Sequence, residues 1–355
     1  MKSIQANNYT IHFNKESYTH LNNYLKENNF SKIFFIVDEN TNELCLPKIL
    51  PLIETEVPFE IIELEPGEEN KTIETCTQVW KVLIELGADR KSLIINVGGG
   101  VITDMGGFIA STYKRGIPFI NIPTTLLSMV DASVGGKNGV DLDGLKNQIG
   151  TITNPAMIII DTAFLESLSQ REMKSGLAEM LKHGLIAKKT HWDKFKNLSE
   201  IDFDTFDELI AESVEIKNNI VTQDPTENGI RKALNFGHTL GHAIETLFLE
   251  DPEKENLLHG EAIATGMILE GYISLKKGLI TASEYSEIKN HLLSIYEPIT
   301  FDENDKIDII NLLIHDKKNE YGKVQFALLD GIGNIKINQT TDNETIMMSF
   351  EDYNN

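Results

Sequence analysis

With 355 residues, 41% hydrophobic and 24% charged, the chain has an ordinary globular composition and more length than one core usually takes, so two domains are expected. Acidic side chains outnumber basic ones, 54 to 32, for a formal net charge of -22. That argues against a nucleic-acid-binding surface and requires any bound anion to be met by local cations. Cys45 and Cys76 are the only cysteines, too few for a disulfide framework or a thiolate zinc site. No apolar run approaches the about 20 residues of a membrane span, and MKSIQANNYTIHF lacks the apolar core of a signal peptide. A reduced, cytoplasmic setting without membrane contact is expected.

In chain order, KIFFIVDEN (32–40) and FEIIEL (59–64) read as strands. NKTIETCTQVWKVLIELG (70–87) has helical spacing of its apolar residues and a glycine at its end. SLIINV (92–97) is a strand that runs into GGG, and PFINIP (118–123) and AMIIID (156–161) are two more. Alternating strand and helix imply a parallel sheet with helices on its faces. Beyond Asp161 helical patterns follow one another, at 170–186, 203–221, 230–249, 256–277, 281–294 and 304–314. VQFALL (324–329) and IKI (335–337) are the one strand pair expected there. The expectation is an α/β domain over residues 1–164 and a mainly α-helical domain over 165–355, with the active site in the cleft between them.

VGGGVITDMGGF (97–108) follows a strand and opens a helix, where glycines let a pyrophosphate approach the backbone and the helix end supplies N–H donors. Thr103 takes the place of the third glycine of G-x-G-x-x-G, and a tight turn without ligand has the same signature. Asp38, ending the first strand, suits ribose hydroxyls or a helix cap.

LNFGHTLGHAIE (234–245) puts His238 and His242 on one helix face, about 5–6 Å apart, the spacing by which a helix offers two ligands to zinc. LLHGEA adds His259, and SGLAEMLKHG adds Glu179 and His183 on the same face as Lys182. A catalytic zinc needs three protein ligands and an open position, and spacing does not choose among these sets. DASVGGKNGVDLDGLKNQIG (131–150) has the composition of a solvated loop but carries Lys137, Lys146 and Asn147. Arg115, Lys182, Lys217 and Arg231 stand in small or apolar surroundings, a placement that suggests a bound phosphate or carboxylate.

Taken together the motifs resemble the 3-dehydroquinate synthase family. GGGVITDMGGF, STYKRG, PTTLLSMVDASVGGKNGVD, LKNQIG, SGLAEMLKHG, ENGIRKALNFGHTLGHAIE and LLHGEAIATGM match in order over about residues 95–267, with weaker agreement in EPGEENKT (65–72) and HDKK (315–318). The resemblance implies a Rossmann-like NAD-binding domain followed by a helical metal-binding domain. It implies a zinc or cobalt ion on Glu179, His238 and His259, with His242 facing the phosphate-bearing end of the substrate instead. Asp131, Lys137, Lys146, Asn147, Lys182, Lys217, Arg231, Asn235, His242 and Lys317 (in preference to Lys318) match substrate-binding positions. Of these, His242, Lys137, Lys182, Lys217, Arg231 and Asn235 are implied to be catalytic. Arg115 matches an arginine that reaches the neighbouring site of a homodimer. Asp38, Asn40, Glu68, Lys71, Gly99, Gly100, Val101, Asp104, Thr124, Thr125, Asp131, Lys137, Lys146 and Phe164 match NAD contacts. The family pattern departs at Thr103, commonly glycine, and at FLEDPEKENLL (248–258), which is longer and more acidic than usual.

The implied reaction converts 3-deoxy-D-arabino-heptulosonate 7-phosphate to 3-dehydroquinate and phosphate, with NAD oxidising the C5 alcohol transiently, phosphate leaving from C7, hydride returning, and an intramolecular aldol closing the ring. Other readings are a sister sugar-phosphate cyclase that makes a cyclitol, a metal- and NAD-dependent oxidoreductase of the glycerol-dehydrogenase type, and a catalytically dead binding protein.

Overall fold

The computed structural model describes residues 1–143, 145–198, 203–313 and 324–354. The chain divides into two compact units, Met1–Ser169 and Gln170–Asn355.

The first unit is built on a seven-stranded sheet. Its strands are β1 (Ile4–Gln5), β2 (Thr10–Phe13), β3 (Ile33–Asp38), β4 (Phe59–Leu64), β5 (Leu93–Gly98), β6 (Phe119–Pro123) and, last in the chain, β9 (Met157–Ile160). Their spatial order is β1-β2-β9-β6-β5-β3-β4. Every pairing is parallel except β1 with β2. Strands β5, β6 and β9 are buried along their whole length, which is why they read as unbroken apolar runs. The helices are α1 (Glu16–Glu27), α2 (Glu39–Leu44), the single turn α3 (Leu46–Ile49), α4 (Ile73–Glu85) and α5 (Gly100–Thr112). Cys76, Val79 and Leu83 of α4 and Met105, Ile109 and Ala110 of α5 close one core with Phe34, Ile36, Ile94 and Phe119 of the sheet. Helix α4 starts at Ile73, the first apolar residue of its pattern, because Thr72 caps it through Thr75 N at 3.2 Å.

The stretch with the composition of a solvated loop is folded. Ser128–Ala132 makes one π-helical turn, then β7 (Lys137–Leu142) and β8 (Leu145–Ile152) pair antiparallel. The turn signal was present in the sequence: Asp143, at φ 50°, is followed by a glycine. Gly139 faces Gly150 across the hairpin, and a Cβ on Gly139 would stand 2.7 Å from the Ile149 carbonyl oxygen.

The second unit is mainly helical: α6 (Gln170–Ala187), α7 (Lys189–Lys194), α8 (Phe203–Gln223), α9 (His238–Glu250), α10 (His259–Lys276), α11 (Ala282–Ile295), α12 (Glu303–Leu313) and α13 (Asn343–Tyr353). Strands β10 (Phe326–Leu329) and β11 (Ile335–Gln339) form its antiparallel pair. The expected helix over 230–249 is two pieces, a 3₁₀ segment Ile230–Asn235 and α9. Gly237 breaks it at φ 77°, a conformation that costs glycine little. Its backbone also lies against α10, where a Cβ on Gly266 would stand 2.0 Å from the Gly237 carbonyl oxygen. Among the described residues no helix is long and apolar enough to cross a membrane.

Candidate active site

In the first unit, β3, β5 and β6 are neighbours and end on the same side, as parallel strands must. Their carboxyl ends bring together Asp38, Gly99–Gly100 and Thr124–Thr125, the edge at which open α/β sheets hold ligands. The glycines of the loop divide by what surrounds them. A Cβ would stand 2.5 Å from Ile102 Cβ at Gly98, 2.0 Å from Asn96 Oδ1 at Gly106 and 2.0 Å from Asn138 Oδ1 at Gly107, so internal packing demands glycine there. At Gly99 and Gly100 the nearest atoms are 3.1 Å (Thr125 Cγ2) and 3.4 Å (Ala132 Cβ) away. These two half-buried residues at the start of α5 leave space that a phosphate could enter towards the helix N–H groups. Thr103 is turned inward: its Oγ1 donates to the carbonyls of Gly99 and Gly100 at 3.2 Å and lies 3.2 Å from Ser128 Oγ. The departure at Thr103 therefore leaves the outer face of the turn unchanged.

Asp38 serves as a helix cap. Its Oδ1 accepts from Thr41 N at 2.8 Å, while Thr41 Oγ1 accepts from Asp38 N. Asn40 is exposed on the first turn of α2. Five of the expected cofactor and substrate residues form one network. Lys71 Nζ, only 3% exposed as a residue, donates to Asp104 Oδ2 and Asn147 Oδ1 at 2.9 Å and lies 3.5 Å from Glu68 Oε1. Lys146 Nζ is 3.5 Å from the same Glu68 oxygen. Burial opposes the charge on Lys71, but Asp104, Glu68 and Asp141 outweigh it and hold the ammonium protonated. Asn147 adopts φ 52°, and its N–H donates to Asp141 Oδ1 at 2.6 Å within the hairpin, while Asp141 N donates to the Lys71 carbonyl at 2.9 Å and ties the hairpin to that segment. Asp131 lies half-buried in the π-turn and Lys137 is exposed at the start of β7. Phe164 is 2% exposed, so its ring belongs to the core. Arg115 is exposed after α5, with Lys114 and Arg115 both in the left-handed region at φ 48° and 72°.

In the second unit, three helices bring the metal candidates together. Glu179, fully buried on α6, has His238 Nε2 at 3.4 Å and His259 Nε2 at 3.6 Å from its Oε1. Ligand atoms on a tetrahedral ion with bonds of about 2.0–2.2 Å lie about 3.3–3.6 Å apart, so this carboxylate and these two imidazoles fit zinc or cobalt. The far side of each ring is held by an oxygen: His238 Nδ1 is 3.1 Å from the Phe236 carbonyl and His259 Nδ1 is 3.3 Å from Glu245 Oε2. Those oxygens accept only from an Nδ1–H, which leaves Nε2 as the ligand nitrogen. His242 joins the cluster: the three imidazole centroids are 5.0, 5.4 and 5.7 Å apart, and ligand nitrogens of all three lie within 4.8 Å of one another. Burial opposes a charge on His259, but Glu245 and Glu179 outweigh it and raise the imidazole to about 9. His183 has Nδ1 2.7 Å from Ser213 Oγ on α8, and a ring nitrogen of it also lies within 4.8 Å of a Glu179 carboxylate oxygen. The register of α10 on α6 is set where Gly260 N donates to Ser175 Oγ at 3.0 Å, and a Cβ on Gly260 would stand 2.2 Å from the Ser175 carbonyl oxygen.

Among the described residues of this unit, four basic side chains are buried: Lys182 at 1%, Lys217 at 5%, Arg231 at 2% and Lys306 at 6% exposure. Lys182 pairs with Glu179, three residues back on α6. Arg231 is fixed through its backbone and its head, N–H to Asp224 Oδ2 at 3.0 Å and Nη1 to the Pro225 carbonyl at 2.7 Å. Asp224 also accepts from Asn228 N and Gly229 N, and Asn235 Nδ2 donates to Glu227 Oε1 at 3.1 Å. Lys317 and Lys318 lie outside the described residues. Sequence reasoning passed over Asp224, Glu227, Glu245 and Glu270. A D-x-x-x-N-G turn before Arg231 was a readable signal for Asp224, whereas the two glutamates on α9 and α10 act on residues brought near only by the fold.

The family models described as 3-dehydroquinate synthase N-terminal and C-terminal match residues 61–175 and 176–319. A 3-dehydroquinate synthase of Parabacteroides distasonis is 41% identical over 348 residues, covering 96% of each chain. Among solved structures, 2-deoxy-scyllo-inosose synthase complexed with carbaglucose-6-phosphate, NAD+ and Co2+ superposes with a TM-score of 0.87 at 25% identity, over 99% of each chain. The 2-epi-5-epi-valiolone synthase of Streptomyces hygroscopicus subsp. jinggangensis, with NAD+ and Zn2+ bound, has the same fold, with a TM-score of 0.84 at 24% identity over 100% of this chain and 99% of that one.

Proposed function

The chain belongs to the 3-dehydroquinate synthase family, and on that premise we propose that it converts 3-deoxy-D-arabino-heptulosonate 7-phosphate to 3-dehydroquinate and phosphate, a cyclising phosphate-lyase reaction that uses NAD and a zinc or cobalt ion. The observation that carries the reading is the convergence of His238 Nε2 and His259 Nε2 on the buried Glu179 carboxylate, beside a buried lysine. When bound, NAD supplies reversible hydride transfer and the ion on Glu179, His238 and His259 supplies Lewis acidity towards the substrate's hydroxyl oxygen.

This chain's own residues then bind and orient. Gly99, Gly100 and Val101 at the start of α5 receive the pyrophosphate of NAD. Asp38, Asn40, Glu68, Lys71, Asp104, Thr124, Thr125 and Phe164 surround the rest of it. Lys71 sets the charge balance there, because it neutralises carboxylates that would otherwise repel the cofactor's pyrophosphate. Asp131, Lys137, Lys146, Asn147, Lys182, Lys217, Arg231, Asn235 and Lys317 bind the substrate. Arg231 and Lys217 meet its anionic groups, and a guanidinium already held by the Pro225 carbonyl, on a backbone held by Asp224, loses little freedom in doing so. His242, one turn from His238, offers an imidazole N–H to the departing phosphate. Lys182 favours the deprotonated form of the substrate hydroxyl. The substrate phosphate itself serves as base, so no further carboxylate is required.

The enzyme is proposed to work as a cytoplasmic homodimer in which Arg115 reaches the partner's site, without nucleic-acid or membrane partners. Residues 1–164 are assigned to NAD binding and 165–355 to metal binding. The test of specificity is phosphate release from the heptulosonate phosphate set against glucose 6-phosphate. The reading requires release from the first and not the second; the reverse preference makes the chain a cyclitol-forming relative.

A further inference from the structure

We propose that Glu245 and Glu270 are positioning residues for the metal centre, each helix of the α9–α10 pair supplying the carboxylate that fixes the other's histidine. The inference rests on Glu179, His238 and His259 being the metal ligands.

Helix α9 begins at His238, and its N-cap is Gly237, which has no side chain to cap with. The first N–H groups of a helix need acceptors, and a helix end inside the protein cannot take them from water. Glu270, three turns along α10 and fully buried, supplies them: Oε2 accepts from Gly237 N at 2.8 Å and Oε1 from Leu240 N at 3.0 Å. One carboxylate thus grips the backbone on both sides of His238. Its negative charge also suits the positive end of the helix dipole. The close approach that lets it reach is made by Gly237, Gly241 and Gly266, where added Cβ atoms would collide with the facing helix. In the other direction, Glu245 on α9 is 5% exposed and its Oε2 lies 3.3 Å from His259 Nδ1, the first residue of α10. Rotation of either helix about its axis therefore breaks a charged contact made by the other. Both histidines are first residues of their helices, where fraying would otherwise move the ligand nitrogens. Glu245 acts on the ring of His259 and Glu270 on the backbone either side of His238, so their contribution passes through the histidines.

Carboxylates that orient ligating histidines typically contribute about 10–100-fold to metal affinity. The experiment compares E245A, E245Q, E270Q and, as the ligand control, H238A in the full chain. Chelator-stripped protein is titrated with Co2+, and its affinity, its visible absorption spectrum and the melting temperature of the metal-free form are recorded. The expected result is a 10–100-fold weaker Co2+ affinity with an altered spectrum for E270Q and E245A, partial recovery in E245Q, whose amide oxygen can still accept from Nδ1–H, and loss of binding in H238A. Lower metal-free melting temperatures with wild-type Co2+ affinity and spectrum would mean a purely structural role and overturn the proposal. E245A removes no backbone cap, so it decides the matter if E270Q fails to fold. If H238A keeps its Co2+, the ligand assignment fails instead, and the two failures are distinguishable.

Discussion

Adding a single methyl group separates the glycines that packing demands from those a cofactor demands. In Gly106→Ala the new Cβ would stand 2.0 Å from Asn96 Oδ1. Asn96 is fully buried and its Nδ2 donates to Asn121 Oδ1 at 2.8 Å on the adjacent strand, so it has nowhere to retreat. Overpacking costs about 1–3 kcal/mol and a disturbed buried hydrogen bond about 1–3 kcal/mol more, a total of about 2–6 kcal/mol. At roughly 2–4 °C per kcal/mol for a unit of this size, the melting temperature should fall by on the order of 10 °C. In Gly100→Ala the nearest neighbour is Ala132 Cβ at 3.4 Å, so stability should change by less than about 1 kcal/mol. The methyl would instead fill the space proposed for the NAD pyrophosphate. If it weakens NAD tenfold, the stabilisation given by NAD at 100 times its wild-type Kd drops from about 2.7 to about 1.4 kcal/mol. Calorimetric titration with NAD and melting curves with and without it read both quantities. Wild-type NAD affinity in Gly100→Ala, or destabilisation equal to that of Gly106→Ala, would refute the reasoning.

His238→Ala should lose the metal, whereas His242→Ala should keep nearly full metal content while losing turnover; equal metal loss in both would assign His242 to the ion. Acid should destabilise the second unit through His191, which burial, opposed in part by Glu212, holds down at about 4. The unfolded chain takes up a proton near 6.5 that the folded chain refuses until about 4, so stability is full above about 6.5 and falls as pH drops towards 4, by roughly 3 kcal/mol at about 1.4 kcal/mol per unit. His191→Leu should flatten that slope for the second unit in chemical denaturation series, while the first unit keeps its own acid slope through His12, which is likewise held at about 4; an unchanged slope would show that His191 does not carry it.

The α/β-then-helical plan was legible because buried parallel strands are unbroken apolar runs: Phe59–Leu64 has the bounds its residues suggested, and β3, β5, β6 and β9 differ from theirs by one or two residues. The hairpin Lys137–Ile152 was hidden because its glycines and lysines have loop composition, while the reason for Gly139 and Gly150, the facing strand, is visible only once the strands are paired. The break at Gly237 was hidden for a similar cause. Apolar spacing runs through it, and only the crossing of α10 requires it. Helix α13, capped by Asp342, closes the second unit and was not marked in the sequence reading at all. At the candidate site, the histidines and Glu179 stood out as chemical types. Glu245 and Glu270 did not, because a glutamate within a helical pattern reads as a solvated face until the partner helix is in place. Asp38 had two readings at the sequence level, and the capping box with Thr41 realises one of them without removing its second carboxylate oxygen from use.

The most direct test of the central claim follows inorganic phosphate and absorbance at the NADH wavelength together, in metal-loaded protein given NAD and 3-deoxy-D-arabino-heptulosonate 7-phosphate. The account predicts sustained phosphate release with no net accumulation of NADH, stopped by a chelator and restored by zinc or cobalt. Steady NADH formation without phosphate release would contradict it and make the chain an oxidoreductase.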